Sequence, residues 1–276
     1  MSKKQILVDV EKAIKEKSKK EKPSWLLVRF LKKIAHQDDL NSFLINHPEE
    51  EGLEFLEKAL TYLNVTLKVE GMDHIPKDKR HIFVSNHPLG GMDGMAMGYF
   101  LGRFFDGKVK FMANDLLMHL TPLHSVFIPV NKHGGQVKKI AEIFDETFKS
   151  EDQILIYPAG LVSRLQKGRI RDLEWKKTIV TKAKQYERDI VPIYFGARNS
   201  WFFYILANIR KILKIKANIE MLFLVDEMYK QKNKTFKAYV GKPISWKSFD
   251  KSKSDKAWAA HIKDIVYQLN KDNRAR

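Results

Sequence analysis

His87 and Asp93 are separated by five residues in the run Phe83-Val84-Ser85-Asn86-His87-Pro88-Leu89-Gly90-Gly91-Met92-Asp93-Gly94. A neutral imidazole can take the proton of a hydroxyl while its oxygen attacks a carbonyl. A carboxylate on the other ring nitrogen fixes the tautomer and stabilises the imidazolium that forms. With the substrate hydroxyl as nucleophile, such a pair needs no serine or cysteine of its own. The spacing also admits a plainer alternative, with Asp93 capping a helix and His87 an ordinary loop histidine.

Three further blocks carry Gly or Pro beside a cation. Tyr157-Pro158-Ala159-Gly160-Leu161-Val162-Ser163-Arg164 opens a basic run that continues through Lys167, Arg169 and Arg171. Val191-Pro192-Ile193-Tyr194-Phe195-Gly196 leads into Ala197-Arg198-Asn199-Ser200, and Phe127-Ile128-Pro129-Val130 leads into Asn131-Lys132. Arginine at a strand end suits bidentate capture of a phosphate or carboxylate, although a charge run is also what a solvated loop looks like. Gly160 sits where a turn could aim main-chain amides at an oxyanion.

Short buried strands are needed to hold these loops. The patterning predicts them at 66–70, 81–85, 109–112, 125–130, 153–157, 189–195 and 235–240, with helices at 93–105, 134–150, 173–187 and 255–270. Strand–helix alternation predicts an α/β fold, a mixed sheet flanked by helices, whose sites form at strand ends. Residues 1–65 read as an N-terminal helical extension and 66–276 as the domain carrying the chemistry.

The net charge is +17, and all of that excess lies in residues 1–35 and 160–217. Each of these regions also holds an apolar stripe at helical spacing. One contains Trp25 and Phe30, the other Trp201 and Phe202. Basic amphipathic helices with interfacial aromatics suit a lipid surface, whereas the same stripes could pack into a core. No stretch of about 18 uncharged apolar residues is present to span a bilayer, and no signal peptide is visible. The chain has no cysteine, which excludes disulfides and thiolate metal sites, and its histidines are scattered, so no metal is expected. A nucleic-acid binder fits the charge but lacks a helix-turn-helix, zinc-finger or RNP signature. A lipid hydrolase would lack the Gly-x-Ser-x-Gly elbow.

Over residues 65–245 the order and spacing of the blocks resemble the glycerolipid acyltransferase family. Asn86, His87 and Asp93 stand where that family has Asn-His-x4-Asp, Lys132 where it has a base after a Phe-Ile strand, and Ser163-Arg164 near the end of its Phe-Pro-Glu-Gly block. The extra residue before Asp93 and the Ala159 in place of Glu resemble the hemolysin-like branch of ornithine- and glycine-lipid O-acyltransferases, as does Arg198-Asn199-Ser200. The resemblance implies transfer of a fatty acyl group from acyl-ACP or acyl-CoA, without a cofactor, to a lysolipid hydroxyl. The acceptor implied is a lyso-aminolipid or lysophosphatidate, with the altered third block favouring the former. It implies His87 and Asp93 as the catalytic pair and Asn86, Lys132, Gly160, Ser163, Arg164, Arg198 and Asn199 as substrate-binding. It further implies peripheral attachment at the cytoplasmic face of a bacterial inner membrane, with acyl carrier protein or coenzyme A and the bilayer as partners rather than nucleic acid.

Overall fold

The computed structural model describes residues 7–18, 24–113, 120–129 and 137–274. Its centre is β2 (His81–Ser85), a run of apolar and β-branched residues buried along its whole length. Alternate residues serve opposite faces of the sheet. Phe83 joins one apolar cluster, while Ile82 and Val84 join another. On either side of β2 lie β5 (Gln153–Ile156) and β8 (Asp189–Gly196), both parallel to it.

Beyond β5 come β3 (Val109–Ala113) and β4 (Phe127–Pro129); beyond β8 come β9 (Thr235–Val240) and β1 (Thr66–Glu70). Among the described residues, only the β8–β9 strand pairing within this seven-stranded sheet is antiparallel. The expected mixed α/β sheet is therefore present. A hairpin, β6 (Arg164–Gln166) and β7 (Arg169–Arg171), occupies the segment read from sequence as a basic loop. Lys167 and Gly168, at φ of 47° and 75°, make its two-residue turn, as a primed hairpin turn requires.

One face of the sheet is covered by α4 (Gly52–Tyr62) and α5 (Gly91–Phe104). The other carries α6 (Val137–Lys149), α7 (Thr178–Tyr186) and α10 (Asp255–Arg274). α5 lies unusually close to its neighbours. A methyl at Gly98 would come within 2.7 Å of the Phe111 ring and one at Gly102 within 2.3 Å of Leu53.

The N-terminal residues form α1 (Val10–Ser18), α2 (Trp25–Ile34) and α3 (Gln37–Asn46) before α4. The expected division at residue 65 falls after α4, yet Phe55, Leu56 and Leu60 of α4 share one core with Met92, Met97 and Leu101 of α5. After β8 come α8 (Trp201–Ile212), a 3-10 turn at Ile219–Phe223 and α9 (Leu224–Tyr229), none of which belongs to the sheet layers.

Candidate active site

Parallel β2, β5 and β8 bring three loops out at one edge of the sheet. Asn86 joins two of them. Its Oδ1 accepts from the Phe195 N–H at 2.7 Å and its Nδ2 donates to the Phe195 carbonyl at 3.0 Å. Both halves of its amide are thus spent on β8. The side chain, expected to meet substrate, instead fixes the point at which the chain leaves β2.

His87 follows directly. Its Nδ1 lies 2.9 Å from Asp93 Oδ1, and Asp93 is fully buried while about a fifth of the His87 side chain remains exposed. The second Asp93 oxygen accepts from the Leu89 N–H at 2.9 Å. Gly90, at φ 81°, lets the chain double back so that α5 starts with Asp93 in its first turn. There the positive helix end also favours a carboxylate. Burial works against the imidazolium, but the charge of Asp93, its hydrogen bond and the charge of Asp172 outweigh this and hold His87 above the ordinary histidine value. With Nδ1 facing Asp93, Nε2 is the nitrogen left for a reacting hydroxyl.

The Tyr157 ring stacks on the imidazole with centroids 4.2 Å apart. Its hydroxyl is buried without a hydrogen-bond partner among the described residues, and burial together with the Asp93 charge pushes its pKa well up. Gly160 turns the chain at φ 65°, and its N–H donates to the Tyr157 carbonyl. That amide is therefore consumed by the turn rather than presented to an oxyanion.

Asp172 is the residue that sequence reasoning missed. It is buried within the basic run and its Oδ1 accepts from both the His87 main-chain N–H and the Ser163 hydroxyl. Its Oδ2 accepts from the Trp175 indole at 2.8 Å. Lys263 of α10 donates to the Asp172 and Leu173 carbonyls, and the Asp172 N–H donates to Tyr267 Oη. The Ser163 N–H donates to the His87 carbonyl at 2.8 Å. Ser163, expected at the substrate, therefore ties two loops together. A lone aspartate among arginines carries no spacing signal, so nothing in the sequence marked it.

Arg164, expected to hold an anionic group, is 3% exposed. It donates to the Val162 carbonyl and to Glu220, which is buried and also meets Arg210 at 2.9 Å. A guanidinium already paired in the interior has no face left for a ligand, so Arg164 anchors α8 and the 3-10 turn to the third loop. Arg198, in contrast, is exposed, its guanidinium 5.2 Å from the Trp201 ring centre. Asn199 is buried, and its carboxamide has no partner among the described residues. Ser200 caps α8, accepting from Phe203, and Glu227 holds it through both main chain and hydroxyl. Lys132 lies outside the described residues. No cluster of three or more potential metal ligands occurs among the described residues.

Beside the site, α8 turns Phe203, Tyr204 and Ala207 inward. Its other side leaves Trp201, Phe202, Ile205 and Ile209 about half exposed. The exposed Trp25, Leu26, Leu27 and Phe30 of α2 reach the same region, for the Phe30 and Phe202 rings both pack edge-on against Phe223. Neither stripe is absorbed by the core, and two segments remote in sequence make one apolar surface. No described helix is long and apolar enough to cross a membrane.

Residues 10–275 match the model of a protein family described as Acyltransferase. The chain is 50% identical to the lyso-glycine lipid O-acyltransferase of Bacteroides thetaiotaomicron over 95% of this chain and 97% of that one. It is 47% identical to the protein of the same name from Phocaeicola vulgatus, with 95% of each covered. Among solved structures, the 1-acyl-sn-glycerophosphate acyltransferase of Thermotoga maritima has a TM-score of 0.52 at 17% identity, covering 93% of this chain and 85% of that one. At that identity the likeness concerns the fold alone.

Proposed function

We propose that this chain, which belongs to the acyltransferase family, moves a fatty acyl group onto the hydroxyl of a lyso-aminolipid, a lyso-glycine lipid being the acceptor that its two relatives are named for. His87 is the general base and Asp93 its orienting carboxylate. The observation that carries this reading is the 2.9 Å approach of Nδ1 to a fully buried carboxylate, with the imidazole still open to solvent at the sheet edge.

In this reaction the acceptor hydroxyl attacks the carbonyl carbon of an acyl thioester as Nε2 takes its proton. The carbon–sulfur bond of the tetrahedral intermediate then breaks, and the leaving thiolate recovers the proton from the imidazolium. The products are an ester and a free thiol, of acyl carrier protein or coenzyme A. Asp172, through the main chain of His87 and its own charge, positions the base and favours its protonated form during turnover.

The apolar surface of α2 and α8 is read as the face that enters a lipid interface. Trp25, Phe30, Trp201 and Phe202 are the anchors, and the exposed lysines and arginines within 1–35 and 160–217 meet anionic head groups. On this reading α2 of the N-terminal region 1–65 and α8 of the acyltransferase region 66–276 together attach the protein peripherally to the cytoplasmic face of a bacterial inner membrane.

The test is acyl transfer in anionic vesicles with acyl-ACP and acyl-CoA in parallel, wild type against His87→Ala. Loss of about 10²- to 10⁴-fold in rate with an unchanged melting temperature is expected. Turnover retained in the variant would remove His87 from the chemistry.

A further inference from the structure

Asn86 and Asn199 follow the ends of the paired strands β2 and β8, and their side chains have opposite fates. Asn86 reads one extended residue completely, accepting the N–H of Phe195 and donating to its carbonyl. The N–H and C=O of a single extended residue point to the same side, so one carboxamide can serve both. Asn199 presents the same donor and acceptor, equally buried, and uses neither among the described residues. Its backbone is nonetheless fixed. The Asn199 N–H donates to Tyr204 Oη at 3.1 Å, and Ser200 beside it is held by Glu227. A side chain on so firm a base that leaves both polar atoms unpaired in the interior is costly unless a ligand completes it.

The position of Asn199 suits such a ligand. The Asn86–Phe195 bonds set the β2 and β8 ends side by side, so His87 and residues 197–199 leave the sheet together. Met228, next to the Glu227 that holds Ser200, faces Gly91 at the start of α5, just past the loop that bears His87. Arg198 adds an exposed cation on the rim.

We propose that Asn199 recognises the head group of an N-acyl α-amino acid acceptor as Asn86 recognises Phe195: Oδ1 accepts the amide N–H and Nδ2 donates to a carboxylate oxygen, with Arg198 facing the other oxygen. This inference rests on the acyltransferase reading and specifies its acceptor chemistry. A phosphate head group has no N–H to offer Oδ1, so the same carboxamide that favours an N-acyl amino acid leaves an unpaired acceptor against lysophosphatidate.

The decisive experiment compares an N-(3-hydroxyacyl)glycine with its glycolate ester, in which oxygen replaces only the N–H, in identical vesicles. Wild type is expected to favour the amide about 10- to 100-fold in kcat/KM, since a site built for a hydrogen bond rejects an analogue lacking it. Asn199→Ala is expected to bring that preference to within about threefold. A variant that slows both acceptors equally, or a wild type that does not discriminate, would overturn the proposal and leave Asn199 a structural support. Independently of turnover, N-butanoylglycine is expected to move the Asn199 side-chain amide signals in the NMR spectrum of the intact protein, and butanoylglycolate to leave them in place. No product on any acceptor together with that shift would sink the acyltransferase reading alone; no shift would sink the amide contact.

Discussion

Strand β8 is bracketed by two buried polar side chains that the chain treats in contrary ways. Arg188, just before it, spends Nε, Nη1 and Nη2 on the carbonyls of Phe148, Asp152 and Ser150, closing the end of α6. Asn199, three residues beyond it, spends nothing of its carboxamide among the described residues. At one end of the strand the protein completes its own hydrogen bonds; at the other it leaves a pair open among the described residues. Burial of a polar group therefore does not separate structural from functional roles here. What separates them is whether the surroundings answer the group.

The contrast can be tested from the closed end first. Arg188→Ala strands three carbonyls and is expected to cost about 3 kcal/mol in urea unfolding, with the specific activity of the folded protein retained. A large activity loss at unchanged stability would mean that the two ends are coupled. Asp172→Asn acts at the open end and is expected to lower kcat about 10- to 30-fold with folding intact. It also carries a signature. In the proposed mechanism the base works only when neutral, so the rate is expected to rise with pH along a limb that wild-type His87 places above the ordinary histidine value. Removing the Asp172 charge removes one cause of that elevation, and the limb is expected to move to lower pH. An unmoved limb would reduce Asp172 to loop support. The smallest effect belongs to the apolar surface. Trp201→Ala is expected to weaken binding to anionic vesicles about five- to tenfold while leaving unfolding unchanged, because the ring is 52% exposed in the free protein. A drop in stability instead would assign that face to internal packing.

Much of this was legible in the sequence where local rules dominate. The strand 81–85, the glycine turn and the helix carrying Asp93 follow from a short continuous apolar run and turn residues, and the His87–Asp93 pair depends on nothing more distant. Contacts that span the chain were not legible. Asn86 is claimed by a residue 109 positions away, and Arg164 is neutralised by Glu220, 56 positions on. No spacing rule reaches so far, so both read as free ligands until the fold brings their partners to them. Arg198 escapes this fate: it is exposed, with its guanidinium over the Trp201 ring. The exposure of the two apolar stripes also needed the fold. A helix stripe looks the same in sequence whether it turns toward the core or away from it, and α8 is apolar on both sides.

The two glycines of α5 have a consequence for tolerance. Asp93 rides on the first turn of a helix whose height above the sheet is set further along, where Gly98 lies against Phe111 and Gly102 against Leu53. The helix acts as a lever with its fulcrum there. A single methyl at Gly98, more than a turn from Asp93, would meet the buried Phe111 ring at 2.7 Å and is expected to tilt the lever and disturb the 2.9 Å approach of His87 and Asp93. The alignment of His87 and Asp93 is thus a dimension held by the seating of a whole helix, and on the proposed mechanism lesions in that seating would be read as faults of chemistry.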